Sequence, residues 1–156
     1  MVEMKLDGYR ILARVEDGVA RLLTRRGHDW TDKMKSLAVA IQNLGIRNGW
    51  FDGEIVVMNS RGLPDFNALQ NSIGNRRNES IVYFMFDAPF YGGFDMRNVP
   101  LWSRRAVVQE MLEEQDDQRV RFTQSFDAEP ARVLEAARQM GMEGVMVKRG
   151  CVFRRT

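Results

Sequence analysis

The six residues Lys5-Leu6-Asp7-Gly8-Tyr9-Arg10 set a primary amine beside an acid, a glycine and a guanidinium. A lysine amine is a weak nucleophile at neutral pH, because its ordinary pKa is about 10.4. Neighbouring cations or desolvation disfavour its charged form, and the free amine can then attack a phosphorus or carbonyl centre. Gly8 permits a turn or a close backbone approach that a side chain would obstruct. Arg10 offers a planar fork for phosphate or ribose oxygens. Taken alone, the pattern also fits a surface hairpin, where Lys-Asp-Gly combinations are common.

Three later segments supply further acids and cations. Phe51-Asp52-Gly53-Glu54-Ile55-Val56-Val57 reads as an acidic turn, shaped by Asp52, running into a β-branched strand. Tyr83-Phe84-Met85-Phe86-Asp87-Ala88-Pro89 is an apolar strand ending in an acid and a proline. Glu143-Gly144-Val145-Met146-Val147-Lys148-Arg149 starts a strand with an acid and ends it with cations.

Elements that would carry these residues follow from pattern. Arg10–Glu16 and Val19–Thr24 read as a hairpin about Asp17-Gly18. Asp32–Leu44 has Met34, Leu37, Ala38, Ile41 and Leu44 at helical spacing, with Gly45 as a stop. Trp50–Met58 is a strand, Asn59–Gly62 a turn, Asp65–Gln70 a short helix and Gly74–Ser80 a polar loop. Ile81–Phe86 is continuously apolar, which predicts burial on both faces. Ser103 caps a helix running to Glu114, with Val107, Val108, Met111 and Leu112 inward. Val120–Phe126 is a strand, Pro130–Met140 a helix ended by Gly141, and Glu143–Arg149 the last strand. Helices and strands mix without strict βαβ alternation, so the class is α+β with largely antiparallel sheets flanked by helices.

In this order and spacing the four segments resemble motifs I, III, IIIa and IV of the covalent nucleotidyltransferases: ATP-dependent DNA ligases, RNA ligases and mRNA capping enzymes. Leu22–Trp30 and Pro64–Asn71 resemble the ligase domain of bacterial ligase D, the end-joining repair ligase. The resemblance implies the nucleotidyltransferase (ATP-grasp-like adenylation) fold. It also implies lysine attack on the α-phosphorus of ATP, transfer of AMP to a DNA 5′-phosphate, and sealing by a 3′-hydroxyl.

Carried over position by position, the resemblance makes Lys5 the nucleophile, its pKa lowered by Lys148, Arg10 and a divalent metal. Glu3 would accept a hydrogen bond from the adenine amino group, selecting against guanine. Arg10 would contact ribose or phosphates. Glu54 would bind ribose hydroxyls or help hold the metal, magnesium or manganese, and Glu143 is the main metal-associated acid. Phe86 would stack on adenine, although Phe84 and Phe86 share a strand face and periodicity alone fits a core role equally. Lys148 would neutralise phosphate charge, and Arg25 would touch DNA phosphate. His28 and Trp30 read as local packing.

The chain of 156 residues suits one domain with a real core, at 44% apolar and 28% charged residues. No apolar run approaches the length of a membrane span, and the N-terminus lacks a secretory pattern. One cysteine, Cys151, excludes an internal disulfide, and with one histidine it argues against a zinc site. The single cysteine fits a reducing cytoplasm, and the resemblance implies a bacterial, nucleoid-associated protein. A net charge of +2 does not announce a nucleic-acid binder. The pairs Arg25-Arg26, Arg76-Arg77, Arg104-Arg105 and Arg154-Arg155 would track a phosphate backbone if they share a face; otherwise they are solvated surface.

Against the family pattern, no motif V follows motif IV, no OB-fold domain follows, and only four residues precede Lys5. Position 26 is arginine where ligase D proteins commonly have asparagine. The expectation is therefore a partial adenylation domain over 1–156 that seals nicks poorly or not at all by itself. Its parent would act on nicked or broken double-stranded DNA, with polymerase or nuclease domains or end-joining proteins as associates. Two alternatives are an RNA ligase or capping-type enzyme, and a non-catalytic nucleotide- or DNA-binding module.

Overall fold

The computed structural model describes residues 1–75 and 78–149. Arg76-Arg77, Cys151 and Arg154-Arg155 lie outside the described residues. In chain order the elements are β1 (Val2–Met4), β2 (Tyr9–Glu16), β3 (Val19–Thr24), a 3-10 turn (Thr31–Lys33), α1 (Lys35–Gln42), β4 (Gly49–Val57), α2 (Phe66–Gly74), β5 (Ile81–Tyr91), β6 (Phe94–Asp95), α3 (Leu101–Glu113), β7 (Val120–Phe122), β8 (Ser125–Phe126), α4 (Pro130–Gln139) and β9 (Val145–Val147).

They build two sheets. The larger has the order β3-β2-β4-β5-β6, with β7 added in parallel to β5; the smaller is β8-β1-β9. All other pairings are antiparallel, so the α+β, largely antiparallel expectation holds. No helix among the described residues is long and apolar enough to cross a membrane.

The hairpin forms because Asp17 and Gly18 both take positive φ (48° and 80°), which matches the twist of the flanking strands. Alternation then sends Ile11, Ala13 and Val15 of β2 to one face, where they meet Ala20 and Leu22 of β3. Phe51 and Ile55 of β4, Ile81, Tyr83 and Met85 of β5, and Leu37 and Ile41 of α1 complete that core. Each such side chain contributes about 1.5–3 kcal/mol on burial. The opposite face of the sheet is left for chemistry.

Several expectations fail for identifiable reasons. Asp52-Gly53 is not a turn: β4 runs straight through it. Glycine is required there because an added Cβ would lie 2.5 Å from both the Phe84 carbonyl oxygen and the Tyr83 ring. The Tyr83 hydroxyl crosses above Gly53 and donates to the carbonyls of Phe51 (2.7 Å) or Ile11 (3.0 Å). β5 buries one face only; Val82, Phe84 and Phe86 are half-buried. The helix expected over 32–44 is interrupted at Met34, whose backbone leaves the helical region (φ −137°, ψ 48°) and whose side chain is fully buried in the core. Asp65 does cap α2, accepting from the Ala68 amide at 2.9 Å, but α2 continues to Gly74.

Ser103 does not cap α3, which begins at Leu101 after Pro100 and has no side-chain cap. Its inward face carries Val108 and Leu112, but also Arg104 and Arg105. The strand expected over 120–126 is two strands in two sheets, because β7 follows β5 and β8 turns away to join β1. Strands β1 and β6 were not expected. The last strand is only Val145–Val147.

Replacing Gly53 by alanine would force its Cβ into backbone and a fully buried ring. Chemical denaturation should show Gly53→Ala destabilised by about 2–3 kcal/mol, while Gly18→Ser, whose Cβ would meet open space, should lose less.

Candidate active site

Pairing in the small sheet brings the first and last motifs together. Glu3 of β1 stands opposite Met146 of β9. The ladder continues past β1, since the Lys5 amide donates to the Gly144 carbonyl at 2.9 Å. Period-two alternation therefore sets Glu3 and Lys5 on one face, with Met146 and Lys148. Glu143 lies just before β9, and its carboxylate forms an ion pair with the Lys5 amine. Both side chains are about half exposed, at 44% and 49%.

The facing jaw comes from the large sheet. Gly8 lets the chain pass β4, since a Cβ there would lie 2.0 Å from the Ile55 carbonyl oxygen. Arg10 and Glu54 are cross-strand partners on β2 and β4. Arg10 forks onto Asp52, Nε at 2.9 Å and Nη2 at 2.5 Å, and this pairing raises its pKa. On β4 and β5, the consecutive residues Asp52 and Gly53 oppose Asp87 and Met85. Phe86 is therefore an extra residue, and such bulges re-aim side chains beside sites. Its ring has the Lys148 ammonium 4.1 Å and the Arg10 guanidinium 5.6 Å from its centroid.

Between the jaws is a cleft of about 420 Å³ lined by Glu3, Lys5, Arg10, Arg25, Glu54, Phe86 and Lys148. Every site residue expected from the sequence lines it except Glu143, which reaches it through Lys5. A neighbouring depression of about 490 Å³ shares Arg10, Arg25 and Glu54 and adds Arg26, His28 and Trp30. Arg25 and Arg26 sit at the tip of a tight turn, closed by the Gly27 amide donating to Thr24 at 2.8 Å. Gly27 takes φ +81° to make that turn. Trp30 packs edge-on against Tyr9, ring centroids 5.4 Å apart, and His28 is exposed.

Sequence reasoning missed the residues that hold the cleft floor. Glu3 is 2% exposed, and its carboxylate lies between Lys148 and Arg105, each 2.6 Å away. Arg105 also donates one N–H to the Phe86 carbonyl (3.0 Å) and one to the Thr123 carbonyl (2.5 Å). Among the described residues, Glu3 Oε1 has charge partners but no hydrogen-bond donor. Burial pushes the Arg105 pKa down, opposed first by Glu3 and then by Asp87. Arg104 forks onto Asp87 at 2.7 and 2.8 Å and donates to the Val99 carbonyl at 2.8 Å. The Arg104-Arg105 pair is thus neither a phosphate track nor solvated surface.

Charge in the cleft is locally paired. The cations expected to activate Lys5 each face a carboxylate of their own: Lys148 meets Glu3, and Arg10 meets Asp52. Burial raises the Glu54 carboxyl to about 7, with Arg10 opposing the shift and Asp52 adding to it. Among the described residues there is no cluster of three or more acid, histidine or cysteine side chains fit to hold a metal unaided. Glu143 pairs with the Lys5 amine and Glu54 lines the same cleft, two carboxylates of the hard-oxygen kind suited to magnesium or manganese shared with substrate phosphates.

The sequence model for the ATP dependent DNA ligase domain matches residues 1–152. The multifunctional non-homologous end joining protein LigD of Pseudomonas aeruginosa is 46% identical over 153 residues, which is 97% of this chain and 18% of that protein. The DNA repair protein LigD of Mycobacterium tuberculosis is 28% identical over 147 residues, 94% of this chain and 19% of that protein. The chain thus spans about a fifth of the length of these curated relatives. The solved ligase domain of M. tuberculosis LigD superposes with a TM-score of 0.81 at 26% identity, over 97% of this chain and 48% of that one. The bacteriophage T7 ATP-dependent ligase, at 16% identity and TM-score 0.68, shares the fold. The agreement of whole-chain similarity with the motifs gathered in one cleft shows that this chain belongs to the ATP-dependent DNA ligase domain family.

Proposed function

We propose that this chain carries out nucleotide activation for DNA strand joining. The Lys5 amine attacks the α-phosphorus of ATP; an N–P bond forms, the bond to the leaving pyrophosphate breaks, and AMP stays on the lysine. AMP then passes to the 5′-phosphate of a nicked or broken duplex, and a 3′-hydroxyl displaces it. The observation that carries this reading is the convergence of Lys5, Glu3, Arg10, Glu54, Phe86 and Lys148 on one cleft from four separate strands and the segments beside them.

Each residue has a task set by its chemistry. Phe86 offers an aromatic face to adenine, and Glu3 accepts from its amino group. Arg10 reaches ribose or phosphate oxygens. Lys148 leaves the Phe86 face as the base arrives and then lies against phosphate charge. Arg25, at the tip of its turn, meets the DNA phosphate. Attack needs the Lys5 lone pair, so the ammonium has to leave its ion pair with Glu143 and give up a proton to solvent first. Glu143 and Glu54 would hold a divalent ion, which when bound neutralises triphosphate charge. Positioning and charge neutralisation are the main requirements of such a transfer. The relatives' names support end-joining repair of DNA as the setting; a bacterial cytoplasmic location is part of the proposal.

Intact-protein mass spectrometry after incubation with ATP and magnesium tests the first step. The expected result is one AMP per chain, absent from Lys5→Ala; a folded wild-type chain with no adduct would overturn the reading.

Glu54 adds a pH signature. Its folded pKa of about 7 lies above its ordinary 4.5, so the folded chain binds the proton more tightly than the unfolded chain. Stability from this group is full below 4.5, falls as pH rises to about 7, and is flat above that. Chemical denaturation at intervals between pH 4.5 and 8 should therefore show Glu54→Gln gaining on the wild type with rising pH. Parallel curves would sink the assignment.

A further inference from the structure

The Arg105 guanidinium touches both sides of the nucleobase pocket while lining neither cleft. It is 3% exposed, lies 2.6 Å from Glu3 Oε1, and donates to the carbonyls of Phe86 and Thr123 at 3.0 and 2.5 Å. Its flat face rests on the Phe122 ring, 4.7 Å from the centroid. One planar group from α3 thus fixes β1 of the small sheet, the bulge of β5, and Thr123, where the chain leaves β7 for β8. No other described side chain that touches Glu3 does this. Lys148 contacts the same carboxylate from the cleft side, with its side chain 20% exposed, and engages no backbone carbonyl through that ammonium.

We propose that Arg105 is a positioning residue for base selection: it locks the Glu3 carboxylate in register with the Phe86 ring, so that one orientation of one purine fits. This rests on the nucleotide reading above and deepens it. Adenine presents an amino donor where guanine presents a carbonyl acceptor. A carboxylate can distinguish them only if it cannot turn away, because a rotating acceptor escapes the lone-pair conflict with guanine and discrimination is lost. Lys148 alone cannot stop that rotation, since an ammonium on a flexible stem is a point charge without a preferred plane. Arg105 is held by two carbonyls and an aromatic face, so it cannot follow the carboxylate. Two of its five N–H groups go to those carbonyls, and the Nη1 that serves Phe86 also lies 2.6 Å from Glu3 Oε1.

The test is equilibrium binding of ATP, GTP and inorganic tripolyphosphate to the whole chain and to Arg105→Met, Arg105→Lys, Glu3→Gln and Glu3→Gln/Arg105→Met. The wild type should prefer ATP to GTP. Arg105→Met should lower that preference by roughly ten- to a hundredfold and leave tripolyphosphate binding unchanged. In the Glu3→Gln background the same change should lower it no further, because Arg105 acts through Glu3. Arg105→Lys keeps a buried cation near Glu3 but cannot reach both carbonyls; it should lose preference as well, and it decides the matter should the methionine variant fail to fold. Unchanged ATP-over-GTP preference in a folded Arg105 variant overturns the proposal and leaves the nucleotide reading intact. A folded wild-type chain that binds neither nucleotide overturns both.

Discussion

A carboxylate buried at 2% exposure is the constraint around which the two sheets are arranged. Removing such a charge from water costs several kcal/mol, which only close partners of opposite sign offset. Glu3 lies on a three-residue strand that could not form or stay alone. Its partners come from far along the chain: Arg105 on α3, and Lys148 just beyond β9. To satisfy this one group, α3 must pack on β5 and β7, and β9 must pair with β1. The arrangement that neutralises Glu3 is therefore also the one that faces the small sheet toward the large one and leaves a cleft between them.

The opposite jaw depends on a small irregularity. A regular β5 would carry its alternation unbroken beyond Met85. The extra residue at Phe86 shifts the phase, so the next fully buried position is Ala88 rather than 87. The partner strand must tolerate the close approach, which is why Gly53 lies under the Tyr83 ring. Tyr83 in turn spans from β5 to the carbonyls of β4 and β2, binding the core side of the distorted region. Disorder in the ladder on one face is compensated by a hydrogen-bonded ring on the other. The aromatic surface at the cleft is thus built into the sheet instead of being carried on a loop.

What was legible in the sequence was local or recurrent in kind. The Asp17-Gly18 hairpin, the helix starting near Asp65, the end of α4 at Gly141 and the motif residues all carry their signal within a few positions, and the resemblance set the order of the motifs. What was not legible depends on distant partners. Nothing near Arg104-Arg105 says that Glu3 and Asp87 wait for them, so the pair read as surface. Nothing within Val120–Phe126 says that two sheets compete for it. Asp52-Gly53 carries a turn signal that the ladder on both sides overrides, because β2 and β5 pair with β4 across it. The first strand was missed for the same reason: three residues show no periodicity, and β1 exists only because β8 and β9 flank it.

If the cleft takes the highly charged substrate proposed for it, its ion pairs explain how it stays folded without that substrate. Unpaired cations crowded together would repel and destabilise the jaws. Here Lys5 has Glu143, Lys148 has Glu3, and Arg10 has Asp52. Lys5–Glu143 is half open to water on both sides, where an ion pair contributes only about 0–1 kcal/mol, so it parts at little cost; in the second, Arg10 is exposed and Asp52 is largely covered. The third has one deeply buried member, Glu3, and its second cation, Arg105, remains when Lys148 moves. On the proposed reading, substrate binding is then an exchange of ionic partners rather than the creation of new charge contacts. The group that must not move, Glu3, is the one with two cations, and the groups that must move, Lys5 and Lys148, are those whose carboxylates can do without them.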